Sequence, residues 1–256
     1  MVMRSIAAIV FVFASTFLPM QYAHAQGITS EQGSAILDEL KAIRKELEQL
    51  RQTQREAPVR AANAQRQRPP RPTTASLSIA GNPALGNADA PLTLIEFTDY
   101  QCPYCRRFFN STLPMLKEKY VDSGKLRIVL MDLPLAFHRQ AMPAARATHC
   151  AGEQEKYWEM HDVLFTDGKL TENDLAISAQ GLGIDVDAFK ECLTSGRFDL
   201  SIKEDIAKAA KAGLTGTPSF VLGKSTGDML NGQVIVGARP FAHFEQQIEK
   251  LLSSGS

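Results

Sequence analysis

Cys102-Pro103-Tyr104-Cys105 is a segment in which residue types and spacing already suggest a reaction. Two cysteines two residues apart can close a small disulfide and reopen it by exchange, provided one sulfur ionises readily. The flanking sequence supplies the means. Leu92 to Thr98 (LTLIEFT) reads as a buried strand, Asp99-Tyr100-Gln101 follows, and Arg106 to about Tyr120 reads as a helix kinked by Pro114. The motif therefore stands at a strand-to-helix junction. Free amides and the positive end of a helix favour a thiolate at Cys102, whose pKa is expected to fall from about 8.5 into a range of about 3.5 to 7.5. Pro103 brings a helix-compatible φ and no competing donor. Cys102 is expected to be the exposed nucleophile and Cys105 the resolving thiol.

The same four residues also fit a purely structural bridge or half of a zinc site. Zinc would need a second CxxC or a spaced histidine pair, and neither Cys150 nor Cys192 has a CxxC neighbour. His149 adjoins Cys150 but is directed elsewhere in any regular element. No metal and no cofactor are expected.

The chain that must position these groups has 256 residues, 28 basic against 28 acidic side chains, 44% hydrophobic and 22% charged. That is ordinary globular composition, with no charge excess to attract nucleic acid. The balance is regional: residues 26–76 carry nine basic and six acidic groups, residues 77–256 eighteen and twenty-two. Residues 1–25 read as a cleaved secretory signal. Arg4 precedes an apolar run of thirteen residues from Ile6 to Leu18, broken by Ser15 and Thr16, and Ala23-His24-Ala25 offers a cut site. The apolar run is shorter than the roughly 20 residues of a spanning helix. Export implies a periplasmic protein in which disulfides persist.

Residues 26–56 form a candidate oligomerisation helix. Ile36, Leu40, Ile43, Leu47 and Leu50 step by alternating intervals of four and three, the period of a coiled-coil seam. With Leu40 and Leu47 at a and the other three at d, Glu39 and Glu46 fall at g, opposite Arg44 and Arg51 at e. This charge pattern favours self-association over a helix folded back on the following domain, and Leu at a with Ile at d leans weakly toward trimers. Residues 57–76, with four arginines, four prolines and no acid, read as a semi-extended linker.

The segment LIEFTDYQCPYC, together with TGTPSF at 215–220, resembles the DsbA-like branch of the thioredoxin superfamily over roughly residues 80–253. The resemblance implies an α/β thioredoxin fold over residues 77–256 with a helical domain inserted at about 138–214. It makes Thr217-Pro218 a cis-proline loop that faces the CxxC and pairs with extended substrate beside Pro103 and Tyr104. Glu96, six residues before Cys102, matches a buried acid of the family; a buried carboxyl has a raised pKa and can relay the proton of the resolving thiol. On an edge strand the same residue would simply be solvated. Cys150 and Cys192 both fall in the helical domain. Four cysteines allow three connectivities; a working CxxC plus a Cys150–Cys192 bridge is favoured over two free thiols. Trp158, His161 and Phe165 are expected to pack helices, and His138 follows a strand end from which it could approach the site.

Direction is the remaining question. Pro-Tyr between the cysteines and Thr before the presumed cis-proline resemble isomerase and reductase members such as DsbG and ScsC, which oligomerise through an N-terminal segment. The resemblance thus implies an exported, oligomeric disulfide isomerase or reductase acting on misfolded exported proteins and served by a DsbD-like membrane reductase. A DsbA-type oxidase served by a DsbB-like partner is the alternative. A copper carrier or holdase, using two soft thiolates or an apolar face, is the alternative of another class.

Overall fold

The computed structural model describes residues 29–66 and 73–254. The expected signal at 1–25 and the centre of the linker at 67–72 lie outside them. The chain divides into two compact units, Met1–Pro69 and Pro70–Ser256.

In the first unit, helix α1 spans Ser30–Arg66. It is longer than the sequence suggested, because residues 57–66, expected in the linker, are helical. Four alanines among those ten residues favour helix, although Pro58 opposes it and propensity alone does not account for the extension. The stripe Ile36, Leu40, Ile43, Leu47 and Leu50 is exposed at 47–60%.

The second unit is built on one six-stranded sheet in the order β1-β6-β5-β3-β4-β2. The strands are β1 (Thr74–Ser78), β2 (Ala84–Leu85), β3 (Leu92–Thr98), β4 (Leu126–Asp132), β5 (Ser219–Thr226) and β6 (Met229–Val236). β1 takes residues 74–76 out of the expected linker, since pairing with β6 gives their backbone groups partners. β3 and β4 are parallel, in register from Leu92↔Leu126 to Thr98↔Asp132, and the other pairs are antiparallel.

A parallel pair needs a crossover. Here it consists of α2 (Pro103–Ser111), α3 (Leu113–Leu116) and a π-helical turn, Lys117–Val121. The predicted single helix is thus broken at Thr112, because Pro114 has no N–H to offer the preceding turn. Five helices then intervene: α4 (Ala141–Gly152), α5 (Tyr157–Asp167), α6 (Glu172–Gly181), α7 (Val186–Ser195) and α8 (Asp199–Lys211). α6 opens with a reciprocal Thr171–Asp174 capping box. Helix α9 (Phe241–Ser253) closes the unit.

All seven residues of β3 are buried, so both sheet faces are covered there. Leu94, Ile128, Phe108, Phe220 and Phe244 form one core between sheet, α2 and α9. Ile95, Phe97, Val129 and Met131 form another on the opposite face, with Ala209 of α8. A third core joins Tyr100, Cys102, Cys105 and Leu130 to the inserted helices. The cysteine motif therefore sits on the seam between sheet and insertion.

Candidate active site

Backbone geometry sets the cysteine pair at the start of α2. Cys102 is the N-cap, extended at φ −75° and ψ 121°, with Pro103 at the first helical position. Its N–H donates to the Asp99 carbonyl at 3.0 Å and its carbonyl accepts from Arg106 N at 3.1 Å. The Cys102 thiol donates to the Thr217 carbonyl at 3.5 Å, bringing the cis Thr217-Pro218 loop against the motif. That loop overturns one expectation: Cys102 is only 4% exposed rather than open to solvent. Pro103 and Tyr104 are exposed beside it. Cys102 and Cys105 are both free thiols.

The two sulfurs are electrostatically unlike. A hydrogen bond from the Cys105 thiol lowers the Cys102 pKa, burial opposes, and the Thr217 hydroxyl and the amides of Cys105 and Tyr104 lower it further, to about 5. The Thr217 hydroxyl makes no well-formed hydrogen bond among the described residues, which leaves it able to turn toward a Cys102 thiolate. Cys105 is held well above the ordinary thiol value by burial first, then by Cys102 and the charge of Glu96. One sulfur is ionised at neutral pH and its neighbour stays protonated until something takes its proton.

Glu96 lies in β3, between β5 and β4, not on an edge. It is 2% exposed, and burial raises its carboxyl to about 8 against a smaller opposing effect of Thr98. A carboxyl of that pKa can accept and return a proton near neutral pH.

The similarity to known proteins follows the same residues. Residues 79–250, more than half of the chain, match the family model described as Thioredoxin. The chain belongs to the thioredoxin family. Disulfide bond formation protein D of Bacillus subtilis is 27% identical over 190 residues, covering 68% of this chain and 79% of that protein. The Na(+)/H(+) antiporter NhaA 1 of Salinispora arenicola is 38% identical over 137 residues, 53% of this chain but 20% of that one. The chain thus spans about a fifth of the length of that relative. Among solved structures, oxidised BdbD of Bacillus subtilis superposes with a TM-score of 0.62 at 25% identity, over 71% of this chain and 98% of that one. Wolbachia pipientis α-DsbA1 gives 0.60 at 25% identity, over 68% and 92%.

In this thioredoxin-family chain Cys150 of α4 and Cys192 of α7 form a disulfide, Cα atoms 5.8 Å apart, away from the exchange motif. His161 is buried in α5 among the rings of Tyr100, Phe109, Trp158 and Phe165, as a packing residue. Asp99 is the residue whose importance the sequence hid. Its Oδ1 accepts from Gln101 N at 2.8 Å, and its Oδ2 accepts from Leu135 N at 2.9 Å and His138 Nδ1 at 2.8 Å. The carboxylate thereby ties the turn before Cys102 to the loop after β4, which presents Phe137 at 75% exposure. Its place three residues before Cys102 was the only available signal.

Proposed function

We propose that this protein is an exported thiol:disulfide oxidoreductase that exchanges disulfides with cysteines of unfolded or misfolded proteins. The observation that carries the reading is the asymmetry of the pair: Cys102 depressed to about 5 at a helix N-cap, Cys105 raised beneath it. The Cys102 thiolate attacks a client disulfide, one client sulfur leaves as thiolate, and a Cys102–client mixed disulfide forms. Cys105, its proton transferred to Glu96, then displaces the client and closes the Cys102–Cys105 disulfide. Client backbone lies along the Thr217-Pro218 loop, beside Pro103 and Tyr104. The names of the Bacillus relatives, disulfide bond formation protein D, support the same chemistry.

For direction, we favour isomerase or reductase over oxidase. Ionisation at about 5 stabilises the dithiol less than the value of about 3.5 known for the strong oxidant DsbA, and more than the value of about 7 in thioredoxin. The exposed seam of α1, with Glu39 and Glu46 placed to meet Arg44 and Arg51 of a neighbour, supports a homo-oligomer presenting several motifs to one client. A membrane reductase would keep the pair reduced. Refolding of scrambled ribonuclease tests the chemistry: Cys102→Ser is expected to abolish it, and full activity of that variant overturns the reading. Alkylation trapping in cells tests direction. A mostly reduced Cys102/Cys105 pair fits an isomerase, and a mostly oxidised pair refutes that direction in favour of oxidase.

A further inference from the structure

Glu96 can serve as a proton acceptor in repeated cycles only if it exchanges its proton with solvent, yet it is buried on every side. Strand geometry shows where that exchange leads. Alternate residues of a strand share a face, so Glu96 and Thr98 of β3 point the same way, and Asp132 of β4 lies opposite Thr98 on that face. Asp132 Oδ2 accepts from His149 Nε2 of α4 at 2.7 Å. His149 is partly exposed and borders a surface cleft of about 370 Å³, together with Asn82, Glu153, Tyr157 and Phe198.

Among the described residues, four buried oxygens along this line make no well-formed hydrogen bond: Thr98 Oγ1, Tyr100 Oη, Tyr157 Oη and Asp132 Oδ1, although Thr98 is close enough to act on Glu96 and the two tyrosine hydroxyls on each other. Such atoms are rare in folded interiors and cost stability, so four on one route call for a reason. They also act on one another. Burial first, then the charges of Asp132 and Glu96, hold the Tyr100 hydroxyl neutral, and burial with Tyr100 and Asp132 does the same for Tyr157.

We propose that Thr98, Tyr100, Tyr157 and Asp132 line a proton conduit that connects Glu96 to solvent through His149. The proposal rests on the role of Glu96 given above. In the resolving step the Cys105 S–H proton passes to the Glu96 carboxylate, Cys105 sulfur bonds to Cys102 sulfur, and the client leaves as thiolate. Glu96 then returns to its carboxylate by passing that proton along these hydroxyl groups to Asp132 and His149, and so to the cleft. Reduction runs the route backward. Burial pulls the His149 imidazolium down, but the Asp132 hydrogen bond and the charges of Asp132 and Asp205 carry it above the ordinary histidine value. The other charges around the exit are Asp205 and Lys208 of α8, joined at 2.9 Å, and Glu153, paired with Arg197 at 3.3 Å.

The test is repeated turnover of the full chain with excess oxidised glutathione and a reductant, with Cys102–Cys105 closure followed by acid quench and mass spectrometry. His149→Ala is expected to slow closure by roughly a hundredfold, the low end of the effect of a lost proton-transfer group. Added imidazole, a base that fits the cleft, restores the rate, whereas 1,2,4-triazole, of similar shape but much weaker basicity, does not. A wild-type rate, rescue by both azoles, or rescue by neither overturns the conduit. Tyr157→Phe, which removes one of these oxygens, must slow closure too, and serves alone if His149→Ala fails to fold. Glu96→Gln is run in parallel. Slow Glu96→Gln with normal His149→Ala and Tyr157→Phe refutes the conduit alone, while a normal Glu96→Gln refutes the acceptor role on which it rests.

Discussion

Replacing Glu96 by Gln is expected to stabilise the fold and to change how stability depends on pH. Glu96 titrates at about 8 in the folded protein against 4.5 in its ordinary state. Between those values the folded chain holds a proton that the unfolded chain has released, so stability falls as pH rises from 4.5 to 8 and is flat outside that window. The slope within it is about 1.4 kcal/mol per pH unit. At pH 7 the accumulated cost of the acid is roughly 3 kcal/mol, and at pH 5 it is about 1 kcal/mol. Gln has nearly the same shape and does not titrate. Urea unfolding of both proteins at pH 5, 7 and 8, followed by the fluorescence of the single Trp158, measures the difference. The gap between the two curves must widen with pH by about 2 kcal/mol from pH 5 to pH 7. A fixed cost of burying the amide shifts all points equally, which makes the slope decisive. Parallel curves refute a buried, high-pKa Glu96 and with it the proton acceptor for Cys105. Because both proteins carry the Cys150–Cys192 bridge, its contribution cancels.

Three other outcomes follow from the same physics. Cys150→Ala with Cys192→Ala opens a loop of 42 residues and is expected to lower stability by at most about 4 kcal/mol in chemical denaturation, leaving exchange at Cys102 in place. His161 has its pKa lowered by burial among aromatic rings, against the smaller pull of Asp162, so the unfolded chain binds its proton first. Stability should therefore fall as pH drops below the ordinary histidine value of about 6.5, and His161→Phe should remove that loss in unfolding curves between pH 5 and 7. Leu40→Asp with Leu47→Asp places charge in the α1 seam and should turn an oligomer into a monomer by light scattering; a wild type that is already monomeric contradicts the self-association argument.

What could be read from the sequence was what neighbouring residues determine together. The strand, the turn and the helix start around Cys102 lie within about a dozen consecutive positions, and each carries its own signal in apolar run, polar break and proline. Glu96 stood out because a charge in an apolar strand is conspicuous. Signals that depend on partners distant in the chain were not legible. β1 is a short run of Thr, Ala, Ser and Leu that becomes a strand only by pairing with β6, more than 150 residues later. Asp99 looks like a turn residue until Leu135 and His138 arrive to use its second oxygen. His149 looked incidental beside Cys150 because helical neighbours face different ways, yet that divergence is what lets α4 serve two ends. Cys150 turns inward to tie the helices together, while His149 turns toward the sheet to reach Asp132. The insertion thus covers the exchange motif and also supplies polar groups to its buried side, a dual role invisible in either segment alone.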